Sequence, residues 1–145
     1  MAAYLSTELG GSANQTSAPV GYKPNASVYG ARVRRLRATF TYASQAITDT
    51  LVVGTLPTGA TFAYGVLTAS ASSGSTTLAI GTSDSTAKYR AAAAFTSTDA
   101  PTFFGKAAEV AASPLSAEEE VIITLAAAAA PSSGTLVVDL YYSMP

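Results

Sequence analysis

Nine carboxylates, Glu8, Asp49, Asp84, Asp99, Glu109, Glu118, Glu119, Glu120 and Asp139, are the acid–base groups that this chain offers, because it contains no histidine and no cysteine. Two carboxyl groups set roughly 5 to 9.5 Å apart across a cleft are enough for glycoside hydrolysis. The spacing of these nine makes no such pair, and Glu118 to Glu120 reads as a solvated turn. The missing His and Cys remove imidazole bases, thiolate nucleophiles, disulfides and nearly every transition-metal site. Ser and Thr are abundant, but no G-x-S-x-G elbow occurs, and no glycine-rich loop ends in Gly-Lys-Ser or Gly-Lys-Thr. Thr82-Ser83-Asp84 lacks the alternating oxygen ligands and the closing Glu of a calcium loop. The chain therefore reads as a non-enzyme that needs neither cofactor nor metal.

The positive charge is more telling. Lys23, Arg32, Arg34, Arg35 and Arg37 make up five of the eight basic residues, with no carboxylate between Glu8 and Asp49. Arginines on one strand can pair with phosphates, but the whole chain is slightly acidic, with a net charge of -1. No aromatic residue interleaves the arginines for base stacking, so nucleic acid is not expected as a partner. The simplest reading is a solvated strand face paired with carboxylates of neighbouring strands. Of the special readings, a protein interface is favoured, since Arg is enriched there. Eight Tyr and five Phe would suffice for a sugar-binding platform, although most stand at strand positions, where core or interface is their ordinary place.

Composition points the same way. Only 12% of residues are charged, and thirty Ala, nineteen Thr and seventeen Ser inflate the apolar and small-residue totals. A core of Val, Ile, Leu, Phe and Tyr alone would be thin, so self-association is one way to bury more surface. No apolar run approaches the roughly 20 residues that span a bilayer. Residues 1–11 lack the basic-then-apolar order of a signal peptide, so the expectation is synthesis and retention in the cytosol, without a membrane partner.

The elements that must position these groups are strands. Residues 1–28, with Gly10-Gly11, Pro19, Gly21 and Pro24 among polar residues, read as an extended N-terminal arm whose anchors are Tyr4, Leu5 and Leu9. Residues 29–145 form the single domain. Leu36, Ala38, Phe40 and Tyr42 alternate with Arg35, Arg37, Thr39 and Thr41, the period of a strand with one buried face. Arg32 and Arg34 fall on the apolar parity, so that strand should start near Val33 or carry a bulge. Asp49 to Gly81 holds three apolar runs separated by two turn clusters, Leu56-Pro57-Thr58-Gly59-Ala60 and Ser72-Ser73-Gly74-Ser75, and reads as a β-meander. Phe62, Tyr64, Val66 and Thr68 should share one face, and Gly65 marks a bulge or a close neighbour. Ala87 to Phe95 reads as a short helix or an irregular excursion. Phe103-Phe104-Gly105 looks like an aromatic clamp in a loop, and Lys106 to Ala112 like strand or loop. Val121 to Leu125 and Thr135 to Ser143 are strands joined by a hairpin connection, and Asp139 needs an edge, a partner or exposure. Seven or so short strands argue for an all-β fold, an antiparallel β-sandwich or jelly-roll-like barrel.

The order of LPTGA at Leu56 to Ala60, Gly65-Val66-Leu67, SGSTTLAIGT at Ser73 to Thr82 and AKYRAAAAF at Ala87 to Phe95 resembles small structural proteins of tailed bacteriophages. The resemblance is to head decoration (cement) proteins, which bind the outside of the assembled shell, and it spans about half of the chain. It implies a β-sandwich or jelly-roll module, commonly a homotrimer, on the capsid surface of the virion, bridging neighbouring major capsid subunits. No catalytic residue carries over. Tyr4, Leu5 and Leu9 of the arm, with Arg32, Arg34, Arg35 and Arg37, are the candidate capsid contacts. A receptor- or carbohydrate-binding module of a fibre or tail, and a head–tail connector component, stand as alternatives, with a carboxylate enzyme last.

Overall fold

The computed structural model describes residue 17, residues 19–23, residue 26 and residues 29–145. Among the described residues eight strands follow one another: β1 (Arg32–Thr41), β2 (Thr50–Leu56), β3 (Thr61–Ala69), β4 (Thr77–Gly81), β5 (Arg90–Ala94), β6 (Thr102–Phe104), β7 (Glu119–Ala126) and β8 (Thr135–Met144). A single helical turn, α1 (Ala107–Val110), lies between β6 and β7. The strands form two four-stranded antiparallel sheets, ordered β1-β8-β3-β6 and β2-β7-β4-β5. This is a β-sandwich with the strand order of a jelly roll.

The chain changes sheet at every connection but one. Only β4 and β5 are neighbours in both sequence and space. The meander expected over Asp49 to Gly81 is therefore wrong, since β2, β3 and β4 alternate between the sheets, and the connection from β7 to β8 crosses the sandwich rather than closing a hairpin. The turn chemistry itself is as expected. Ala60 N–H donates to the Pro57 carbonyl at 3.1 Å, and Gly59 takes φ +83°, the conformation that a tight turn demands of its third residue. A turn reverses the chain, but the faces that must be buried decide which strand becomes the neighbour.

Alternation does most of the sorting. Leu136, Val138 and Leu140 of β8 point inward and are fully buried, as are Leu67 of β3, Leu78 and Ile80 of β4, and Val121, Ile123 and Leu125 of β7. Burying each such side chain contributes about 1.5–3 kcal/mol before entropy is subtracted. Leu36, Ala38 and Phe40 of β1 pack on the margin of this core.

Several local expectations give way to the tertiary structure. Pairing of β1 with β8 runs unbroken from Arg32–Met144 to Thr41–Thr135, so the strand starts at Arg32 and has no bulge. Arg32 and Arg34 share the parity of Leu36 simply because that end of the strand is exposed. The bulge lies in β3 instead, between Phe62 and Tyr64. It turns Phe62 to the core with Leu67 and Ala69, and sends Tyr64, Val66 and Thr68 outward. Gly65 has the close neighbour: a Cβ there would lie 2.1 Å from Phe104 Cζ. The alanine run is strand β5, not helix, because pairing with β4 and burial of Tyr89 and Phe95 at either end outweigh the helix propensity of four alanines. Thr102–Phe104 pairs with β3 as a short strand, and Ala107–Val110 is helical. Glu119 and Glu120 belong to β7 rather than to a solvated turn, drawn in by pairing with Leu56 and Thr55.

Candidate functional site

Strands β1, β8, β3 and β6 lie side by side, so their outward residues form rows across the sheet. Arg37 faces Asp139, which faces Val66, and the next row runs Arg35, Tyr141, Tyr64. Phe103, opposite Val66 on β6, completes the aromatic part. The rings of Tyr64 and Tyr141 stack at 4.7 Å and 21°, and those of Tyr64 and Phe103 meet at 5.7 Å. Phe103 is 71% exposed and Tyr64 38%. The result is a shallow aromatic band flanked by arginines.

The charges on this face are unequal. Arg37 donates two hydrogen bonds to Asp139, from Nε at 2.7 Å and Nη2 at 2.6 Å, the bidentate geometry that guanidinium and carboxylate favour. Arg35 Nε stands 3.9 Å from the same carboxylate. The hydrogen bond from Arg37 holds the Asp139 carboxyl below its ordinary value against the opposing effect of burial, helped by the charges of Arg37 and Arg35. Arg32 and Arg34 are exposed at the start of the same edge strand, and among the described residues no carboxylate pairs with them. The four sequence-predicted arginines thus divide: Arg35 and Arg37 lie on the outer face, with Arg32 and Arg34 on the opposite parity beside Tyr142 and Met144. Tyr4, Leu5 and Leu9 lie outside the described residues.

Sequence reasoning missed the aromatic band. It placed Tyr64 with Phe62 because nothing in the sequence marks the bulge at Ala63, and it treated Phe103 as part of a loop. The available signal was parity in β8: Asp139 and Tyr141 alternate with Val138 and Leu140, so both had to face away from the core.

A second charged cluster closes one end of the sandwich. Lys88 Nζ lies 2.5 Å from Glu119 Oε2 and 3.9 Å from Glu109 Oε2, and the Tyr89 hydroxyl donates to Glu119. Burial, then Glu119, pushes the Tyr89 pKa well above its ordinary 10.0. Ser85 and Lys88 have the S-x-x-K spacing of some serine acyl-enzymes, but they sit in the turn before β5, and the ammonium is engaged by the two glutamates. Each polar group here answers another, so the cluster ties β7, α1 and the β4–β5 turn together instead of presenting a reactive group. Among the described residues no three carboxylates gather as a metal-holding group, and no helix is long and apolar enough to cross a membrane. The surface at Gly30, Val33, Thr61, Phe62, Val110 and Ser143 holds a shallow cavity of about 330 Å³ without an acid–base pair.

No protein family and no curated protein sequence matches the chain. Solved structures do. The fold is similar to a chain in the capsid asymmetric unit of cyanophage Pam1, with a TM-score of 0.66 and 22% identity over 92% of this chain and 96% of that one. It is also similar to a chain in the capsid of Ralstonia phage GP4, with a TM-score of 0.61 and 17% identity over 79% and 85%. A third likeness is to a chain in the acid-stable capsid structure of the Helicobacter pylori bacteriophage KHP30, with a TM-score of 0.58 and 14% identity over 78% and 88%. At these identities the shared property is the fold, a jelly-roll sandwich found in chains of three phage capsid structures.

Proposed function

We propose that this chain is a non-enzymatic structural protein of a phage virion that binds the outside of the capsid and stabilises the assembled head by bridging major capsid subunits. The observation that carries this reading is the likeness to the Pam1 capsid chain, which extends over nearly the whole of both chains. The low charge content agrees with it. Stabilisation would arise by linkage. A protein that binds the closed shell and not the broken one adds about 2.7 kcal/mol per site at a hundredfold excess over Kd, and a homotrimer engaging several subunits at once would multiply weak contacts. In this reading residues 1–28 act as a docking arm through Tyr4, Leu5 and Leu9.

The test is the copy number of the polypeptide in purified virions, measured against the major capsid protein by quantitative mass spectrometry. Parity with the shell protein, together with heads that rupture at lower temperature when the protein is stripped, is the expected result. A few copies per particle would point to a connector or fibre, and none at all would remove the reading. Deleting residues 1–28 should leave a folded domain that no longer saturates capsids. The second reading, a carbohydrate-binding module of a fibre or tail, would use the exposed Phe103 ring beside Tyr64, and glycan-array binding by the isolated protein would support it.

A further inference from the structure

We infer that the outer face of the β1-β8-β3-β6 sheet is the surface by which the protein docks, and that its partner is an acidic protein surface carrying an exposed apolar side chain. This deepens the proposed capsid reading and rests on it for the identity of the partner. Charge is the first argument. Arg35 and Arg37 stand on this face, with Arg32 and Arg34 on the opposite parity of the same exposed strand end, and among the described residues Asp139 is the one carboxylate that pairs with any of them, which leaves 2 − 1 = 1 positive charge on the face itself and two more along its edge, on a protein whose net charge is -1. Asp139 fixes Arg37 with both of its oxygens and holds Arg35 more loosely at 3.9 Å. Arg35, Arg32 and Arg34 therefore keep donors free for a second carboxylate. The second argument is the ring surface beside them. Phe103 stands 71% exposed on a three-residue strand, braced against Tyr64, which is stacked on Tyr141. An aromatic anchor held rigid by its neighbours and flanked by arginines is the composition that dominates binding at protein interfaces.

The other occupants fit less well. The rings of Tyr64 and Tyr141 cover one another's faces, which leaves little open ring for a sugar, and the arginines of β1 lack interleaved aromatic residues for a nucleic-acid strand. A second copy would set one arginine-rich strand near another.

The experiment uses the full-length protein and capsid shells stripped of it, with binding read by co-sedimentation at two salt concentrations. Phe103→Ser and Arg35→Glu, both on this face, are each expected to weaken binding by about tenfold or more. Wild-type binding should fall between 0.1 M and 0.5 M salt as the charges are screened, and Arg35→Glu should lose most of that salt dependence. Val52→Ser, on the opposite sheet and similarly exposed, serves as the control and should bind as wild type. Thermal melts confirm that the variants fold. If wild type binds and both face variants bind equally well, the docking inference is overturned while the capsid reading stands. If wild type does not bind shells at all, the capsid reading fails and takes the inference with it. If the variants change self-association by sedimentation velocity, or binding to a glycan array, and leave shell binding intact, the face belongs to a second copy or a saccharide and the inference is overturned.

Discussion

The two charged clusters of this sandwich differ in exposure. At one end, Lys88 is shared by Glu109 and Glu119, with the hydroxyl of Tyr89 on the same carboxylate, and the side chains are about four-fifths buried. On the outer sheet face, Arg35 and Arg37 share Asp139, and the side chains of both arginines are 50% exposed. Burying a charge costs several kcal/mol unless a partner is at hand, whereas water solvates an exposed one. Each charged group placed inside is consequently held by a partner, whereas the exposed guanidinium groups can also be answered by solvent. The first cluster maintains the fold and the second is free for recognition.

That contrast can be broken most directly at Glu119. Glu119→Ala leaves Lys88 with its distant partner alone and the buried Tyr89 hydroxyl with none, so chemical denaturation should show a loss of about 3 kcal/mol. Arg37→Ala, by comparison, leaves the buried Asp139 with Arg35 at 3.9 Å and with the water that the lost side chain admits, and should lose less. Equal losses would mean that the outer cluster is as structural as the inner one. Next in size is Gly65→Ala, whose methyl group must displace Phe104, costing about 1–3 kcal/mol. Because β6 carries both Phe104 and Phe103, the same variant should also weaken whatever binds the outer face.

Tyr89→Phe isolates one hydrogen bond to a carboxylate, a loss of about 1.5 kcal/mol at neutral pH. Its pH signature has a definite sign. The folded pKa of Tyr89 is raised, so the wild-type contribution is complete below the ordinary value of 10.0 and is lost as pH rises from there towards the folded value. Alkaline denaturation curves of wild type and Y89F should therefore converge above about pH 10. Asp139 behaves oppositely. Its folded pKa lies below the ordinary 3.8, so the stability it confers is complete above that value and drains away as pH falls through the folded one. Asp139→Asn should thus flatten the acid limb below about pH 4. The smallest effect is expected for Arg32→Glu/Arg34→Glu, within about 0.5 kcal/mol of wild type in stability, since both side chains stand in solvent.

Much of this architecture is legible residue by residue. Alternation in Leu36 to Tyr42 and in Thr135 to Ser143 identifies two strands and their inward faces, Pro57 to Ala60 announces a turn that the hydrogen bond from Ala60 to Pro57 closes, and the absence of His and Cys removes whole classes of chemistry. Asp139 was recognisable as a residue in need of a partner, and Arg37 supplies it. Local patterns failed where two signals of similar strength competed. Four alanines favour helix by a few tenths of a kcal/mol each over most residues, too little to resist the burial of Tyr89 and Phe95 at either end. The bulge at Ala63 has no side-chain signature, yet it parts Tyr64 from Phe62, with which it was expected to share a face, and sets it in the aromatic band.

The sequence by itself determined that the chain is built of short strands with one apolar face, that its positive charge is concentrated before Asp49, and that no thiol or imidazole chemistry is open to it. These follow from side-chain identity and from the two-residue period of a strand, which act locally. Only the tertiary structure decided that successive strands alternate between sheets, that Tyr64, Tyr141 and Phe103 meet on one surface, and that Lys88 lies against two glutamates 21 and 31 residues away. Those juxtapositions depend on which faces bury against which. That choice is made by the free energy of the whole core.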